Sequence, residues 1–214
     1  MSAAFTPLDR LRAHLPSGYR TRPAELGRDA MSISALINAC SNEIGYPLMT
    51  SEEDMKDEFT GEGVDLLADV VVIENVSTEN SSPSVIAWGM AWRNSNSTPG
   101  VFVFGNVHPH HQRRGVGRAV LSWSLDRAEQ LLGDHPNGEV FVHLPDVDQS
   151  ARRLLESHGA TPIRFYADMQ LRFEDRRTTD DVEGVVVPDG YNVVPATEVD
   201  SELLRQLRNH CFAD

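Results

Sequence analysis

The sequence predicts an α/β (α+β) fold: a mixed, mostly antiparallel sheet with helices on its faces. Three observations predict it. Three β-rich runs, Ala68–Ile73, Ser84–Trp92 and Val101–Val107, follow one another through Ser-, Asn-, Thr- and Pro-rich links of the kind that close hairpins. Apolar residues recur at helical spacing before them (Met31, Ile33, Leu36, Ile37, Ile44) and after them (Val116, Val120, Leu121, Leu125, Ala128, Leu131, Leu132). A strand, a helix and another strand then alternate. The order βαα-βββ-αβ-αβ requires helices on both faces of one sheet.

Each element has its own signal. Leu15–Ala24 reads as a turn and a short strand. The helix from Arg28 to Ile44 is stopped by Gly45 and Pro47. Ser51-Glu52-Glu53-Asp54 is a capped helix start with acidic residues where the helix dipole favours them, and that helix ends near Thr60-Gly61. Gly115 to Leu132 is a long amphipathic helix. Val140–Leu144 is a strand, Gln149–Ser157 a helix, and Ile163–Phe173 a long strand. Phe102, Phe104, Trp88, Trp92 and Trp123 are expected in the core or at an interface.

Composition narrows the function. The chain has 214 residues, 40% of them hydrophobic, enough for a buried core. A formal charge of −13 argues against nucleic acid and anionic membrane as partners. No apolar run reaches the roughly 18 to 20 residues that cross a bilayer, and Met1–Leu15 lacks the apolar core of a signal peptide. Cys40 and Cys211 fit neither a disulfide framework nor a metal site. A cytoplasmic protein without a metal is the expectation.

One segment carries chemistry: Val107-His108-Pro109-His110-His111-Gln112-Arg113-Arg114-Gly115-Val116-Gly117-Arg118. A strand ends at Val107 and a helix begins inside the glycine loop. At such a junction backbone N–H groups converge at the positive end of a helix dipole. Gly115 and Gly117 have no Cβ to keep a pyrophosphate from the backbone, and Arg113, Arg114 and Arg118 add charged donors. The glycine spacing is that of neither a Walker loop nor a dinucleotide-binding fingerprint.

With its preceding strand and following helix, this loop resembles the Gln/Arg-x-x-Gly-x-Gly/Ala signature of the GNAT acyltransferases, over roughly residues 15 to 173. The resemblance implies the GNAT fold, with two central strands splayed apart, and acetyl-CoA (coenzyme A) as the acyl donor. It places the cofactor on Asn106, Val107, Gln112, Arg113, Arg114, Gly115, Val116, Gly117 and Arg118. Phe104 and Gly105 would share backbone contacts to the pantetheine arm in the gap beside Val140–Leu144, a form of strand addition. The implied partner is a small-molecule amine, with an acceptor pocket around Ile44–Met55 that uses Tyr46, Pro47 and Leu48.

Acyl transfer to an amine also needs proton carriers. Many members of the family use a tyrosine four residues before a glycine, which falls here on Leu155, ahead of Gly159; the asparagine common in that segment falls on Asp148. The remaining catalytic candidates are His108 and His110, with His111 beside them, and Glu74 at a strand end, taking a proton through water. His143 and Tyr166 are outside candidates. Arg152 and Arg153 are placed to approach the adenosine 3′-phosphate or to form a solvated face.

The tail repeats the beginning. Pro188-Asp189-Gly190-Tyr191 and Pro195 match Pro16-Ser17-Gly18-Tyr19 and Pro23 at an offset of 172, and Leu207 to Cys211 echoes Leu36 to Cys40 at 171. The expected organisation is an acyl-CoA-binding domain over 1–173, a linker over 174–186, and the start of a second, truncated repeat over 187–214. With Thr50-Ser51-Glu52-Glu53-Asp54 and Asp69 to Glu74, this looks like the N-terminal half of tandem-domain members such as mycothiol synthase. Such a chain is expected to pair with a second domain of its kind or as a homodimer.

Overall fold

In a computed structural model, the structure describes residues 6–46, 48–76, 84–94, 100–135, 138–167 and 187–211. Contacts divide the chain into two compact units, Met1–Thr161 and Pro162–Asp214.

The first unit holds five strands in the order β1 (Tyr19–Pro23), β2 (Val70–Asn75), β3 (Ser84–Asn94), β4 (Gly100–Val107) and β5 (Glu139–Phe141). Neighbours are antiparallel except β4 and β5, which are parallel. The predicted fold class is the one observed. Central β2 shows why the helices take opposite faces. Its residues alternate across the sheet: Val70 and Val72 pack with Ile33, Leu36, Met55 and Phe59 of α2 (Leu26–Glu43) and α3 (Glu52–Phe59). Val71 and Ile73 face Leu11 of α1 (Pro7–His14) and Val116, Val120 and Trp123 of α5 (Val116–Leu132).

Local chemistry sets the helix ends. Ser51 accepts from Asp54 N while Asp54 returns a bond to Ser51 N, the expected capping box at the start of α3. Thr6 and Asp9 make the same box at α1, a helix the periodicity reading did not include. A short helix, α4 (Leu66–Asp69), leads into β2, and buried Asp69 takes Arg127 Nε at 2.8 Å and Nη2 at 2.7 Å. That pair ties α5 to the sheet. Closer in, Gly89 and Gly105 lie opposite each other on β3 and β4. A Cβ on Gly89 would stand 2.7 Å from Val120 Cγ1, and one on Gly105 would stand 2.8 Å from the Trp88 carbonyl oxygen. Gly89 is needed for α5 to lie this close to the sheet, and Gly105 for its close approach to the β3 backbone.

After β5 comes α6 (Gln149–Glu156), capped by Asp148 through the Ser150 and Ala151 N–H groups. The expected strand Ile163–Phe173 is not a strand over 162–167; Ile163, Phe165 and Tyr166 are exposed there, and 168–173 lie outside the described residues. Apolar alternation makes a strand only where a ladder receives it. The predicted linker 174–186 also lies outside them. In the second unit Asp200 caps α7 (Ser201–Cys211), whose Leu203, Leu204 and Leu207 are exposed.

Candidate functional site

The site grows from the end of β4. His108 N donates to the Ile86 carbonyl at 2.8 Å, so Ile86 and His108 form a hydrogen-bonded pair of the β3–β4 ladder. Alternation makes Trp88/Asn106 another such pair and turns the backbone groups of Gly105 and Val107 the other way, toward the β5 side. Pairing with β5 covers only Gly100–Phe102. Gly105 and Val107 thus present backbone groups beyond the stretch that β5 pairs. Asn106 does not: its backbone belongs to the β3 ladder, and its Oδ1 accepts from Trp88 Nε1 at 3.1 Å. The Val107 carbonyl accepts from Gln112 Nε2 at 3.2 Å and from the Cys40 thiol at 3.3 Å. Burial, then Asp148 and Glu43, push that thiol up to about 11, so Cys40 stays protonated.

The loop then turns through a short 3-10 helix, Pro109–His111, into α5. Arg113 (φ 60°) and Gly115 (φ 87°) both take the left-handed conformation that aims the following N–H groups outward. Gly115 is the N-cap of α5 and provides no side-chain bond, and no acidic residue lies in the first turn. The N–H groups of Val116, Gly117 and Arg118 have no carbonyl within the helix to bond. Arg113 and Arg118 are exposed and make no ion pair among the described residues; Arg114 Nη1 donates to Tyr19 Oη at 3.3 Å. A Cβ on Gly117 would meet Leu154 and Val107 side chains only at 3.5 and 3.6 Å, ordinary contact, so protein packing does not demand a glycine there. Uncapped donors, free cations and a missing side chain together fit a phosphate group.

Beside the loop lies a cavity of about 360 Å³, lined by the small-residue face of α2 (Ser32, Ala35, Ala39), by Arg22, Arg28 and Glu74, and by His108. The structure therefore brings two of the catalytic candidates, His108 and Glu74, to one cavity. The third, His110, is exposed on the turn. His108 Nδ1 accepts from His110 N at 3.3 Å, which in neutral His108 leaves the proton on Nε2. His111 stacks edge-on against Tyr19 and bonds its Oη through Nδ1 at 3.0 Å. Burial, then Arg114, His108 and His110, hold it below the usual histidine range, so it is neutral at physiological pH.

Glu74 is not exposed at a strand end: its side chain is fully buried. Oε2 accepts from Arg20 Nε at 2.7 Å, and Oε1 from Arg22 Nε and Nη2 and from Arg28 Nη2 at 2.9 to 3.1 Å. Burial pushes its pKa up, but the bonds from Arg20 and Arg22 outweigh this and hold it below the ordinary value. It is a fixed anion and a weak base. Arg22 also grips buried Asp29 through two bonds of 2.6 and 2.7 Å. Arg152 is held by Glu156 and Asp146, while Arg153 is exposed. The expected acceptor region, Ile44–Met55, does not line the cavity, and Pro47 lies outside the described residues. No group of residues among those described has the makings of a metal site.

A sheet with a parallel strand splayed from β4, and a glycine loop opening α5 at the splay, is the GNAT acetyltransferase fold. It is shared with a GCN5-related N-acetyltransferase from Sphaerobacter thermophilus, at 25% identity and a TM-score of 0.59, over 70% of this chain and 45% of that one. The chain thus spans under half of that protein's length. A Salmonella typhimurium protein described as an acetyltransferase and solved with its cofactor acetyl-CoA matches at 19% identity and a TM-score of 0.53, over 73% of this chain and 87% of that one. The GNAT domain of S. lividans PAT matches at 20% identity and 0.50, over 70% and 85%. No protein-family model matches the sequence, and no curated protein does.

Proposed function

We propose that the chain is an acyl-CoA-dependent N-acyltransferase that moves an acetyl group from acetyl-CoA to the primary amine of a small molecule in the cytoplasm. The observation that carries this is the start of α5: uncapped N–H groups, a glycine that packing does not require, and two arginines, Arg113 and Arg118, with no ion pair among the described residues, in a protein of net charge −13. Gln112 to Arg118 would hold the pyrophosphate, and Gly105 and Val107 the pantetheine arm. Acetyl-CoA supplies the activated acyl group. With its proton on Nε2, His108 offers a donor for negative charge developing at the thioester, a role worth a few kcal/mol when such a donor is preorganised. The measurement is calorimetry of acetyl-CoA with the intact chain, followed by thiol release across an amine panel. Absence of binding by folded protein would refute the reading.

Leu155, at the position where the family resemblance expects a tyrosine, favours a second reading: a degenerate half that binds coenzyme A without turning it over. Binding without thiol release for any amine would select it.

The tail supports a repeat of the same fold. Tyr191 N donates to Pro188 O with Gly190 at φ 86°, as Tyr19 N donates to Pro16 O with Gly18 at φ 87°. On this alignment Leu204 and Leu207 of α7 correspond to buried Ile33 and Leu36 of α2. Their apolar face would pack on a second sheet of the same kind. Self-association that Leu204→Asp and Leu207→Asp abolish in sedimentation would support this; a monomer at all concentrations would count against it.

A further inference from the structure

The charges around the cavity differ in how fully each is engaged. Asp29 and Glu74, its two buried carboxylates, are committed. Glu74 receives four guanidinium bonds, and Asp29 receives two from Arg22 and one from Glu25 N at 2.8 Å. Three guanidiniums, those of Arg20, Arg22 and Arg28, face these two anions. Arg22 is fully engaged, with its remaining bond to the Pro23 carbonyl. Arg28 is not. One Nη reaches Glu74, and the other makes a 3.4 Å contact with Glu25, whose side chain is 59% exposed. Its Nε has no partner among the described residues. Arg28 also sits in the first turn of α2, where the helix dipole disfavours a cation. Its placement is unfavourable locally and useful only toward the cavity.

We infer that the cavity takes the acceptor and that the acceptor is an amine bearing a carboxylate, which Arg28 grips in place of Glu25. The inference rests on the acyltransferase reading above. A guanidinium fork matches a carboxylate through two parallel bonds. Three guanidiniums face three carboxylates, Asp29, Glu74 and Glu25, and a ligand carboxylate that displaces Glu25 keeps that balance where a dianionic phosphate would not. A volume of about 360 Å³ holds a molecule of amino-acid size, and the small side chains Ser32, Ala35 and Ala39 leave that room along α2. Glu25 acts as a placeholder: it weakens the site for the ligand while keeping Arg28 partnered in its absence.

Two substitutions of opposite sign test this on the full chain. Calorimetry with acetyl-CoA comes first, because failure there removes the acyltransferase reading itself and leaves the wild-type cavity to be probed by amino acids alone. Next, a panel of α-amino acids is compared with the matching decarboxylated amines, by binding and by thiol release. The wild type should prefer at least one carboxylated member over its decarboxylated partner by tenfold or more. Arg28→Gln should collapse that ratio to near one, Arg28→Lys should keep part of it, and Glu25→Gln should raise affinity for the carboxylated member several-fold. Glu25 makes no side-chain cap of α2, so this last variant reads the site even if Arg28→Gln folds poorly. A wild type that ignores the carboxylate, a preference for phosphorylated amines, or a Glu25→Gln variant that binds more weakly would overturn the inference.

Discussion

Replacing Gly117 with alanine separates ligand binding from folding, because the two should move in opposite directions. Gly117 is the second residue of α5 and takes an ordinary helical conformation. A methyl group there meets Leu154 Cδ2 at 3.5 Å and Val107 Cγ2 at 3.6 Å, contacts that need no rearrangement. Glycine to alanine at a compatible position stabilises by about 0.4 to 1 kcal/mol, chiefly by restricting the unfolded chain. For a unit of this size that raises the melting temperature by roughly 1 to 4 °C. The same methyl stands where an anion would approach the Gly117 N–H, so affinity for coenzyme A should fall by about tenfold or more, equivalent to roughly 1.4 kcal/mol. Differential scanning calorimetry of the free protein and titration with acetyl-CoA measure the two halves. Unchanged affinity would refute the assignment of the α5 start as the phosphate site. A lowered melting temperature would show that the glycine is there for packing.

Other perturbations probe the frame that presents this loop. Gly105→Ala should destabilise the first unit by about 1 to 3 kcal/mol in urea unfolding, because the new carbon lies 2.8 Å from a backbone oxygen that has nowhere to go. Arg127→Ala leaves Asp69 buried without its guanidinium and should cost roughly 3 kcal/mol, measured the same way. Glu74 gives the acid limb of stability a definite sign. Its folded pKa lies below the ordinary 4.5, so its contribution is fully present above that value and is lost as pH falls through the folded pKa. Wild-type stability should therefore drop below about pH 4.5, and Glu74→Gln should be less stable at neutral pH with a flatter acid limb. Binding of coenzyme A should weaken as salt rises, since exposed Arg113 and Arg118 are screened within about 10 Å at 0.1 M.

Much of the frame was legible because it depends on local patterns. Helical spacing found α2 and α5, and Ser51 to Asp54 announced α3. What escaped depended on pairing. Thr6-Pro7-Leu8-Asp9 contains a cap, a proline at the first helical position and an acid three residues on, yet the helix it starts is short and has Leu11 as its one buried residue. Glu74 looked like a strand-end residue because nothing local reveals that β1 sets Arg20 directly across from it. Arg20 and Arg22 share a strand face, and Arg28 arrives in the first turn of α2. The cavity beside the loop escaped the sequence for a related reason. Its wall is the small-residue stripe Ser32, Ala35, Ala39, readable as one helix face, but a stripe becomes a cavity only when β2, β3 and the end of β4 stand opposite it.

The loop and the cavity meet at one residue pair, and that meeting constrains the chemistry. Val107 presents its backbone groups beyond the stretch that β5 pairs, and the next residue, His108, lines the cavity. Acyl donor and acceptor would therefore approach from opposite sides of a single peptide unit. That unit is immobilised from every direction: by Ile86 through His108 N, by Gln112 and Cys40 through Val107 O, and by the proline that follows. Preorganisation of this kind lowers a barrier without any residue changing its proton count. On the acyltransferase proposal, it is how the chain would arrange a reaction without the tyrosine that the resemblance expects. On that proposal, removal of the amine proton would fall to solvent in the open cavity, because Glu74 is locked among arginines and His108 Nδ1 accepts from His110 N. A rate that rises with pH up to the pKa of the free amine, and that survives His110→Ala, is the signature of that arrangement. A bell-shaped profile set by a group of the protein would exclude it.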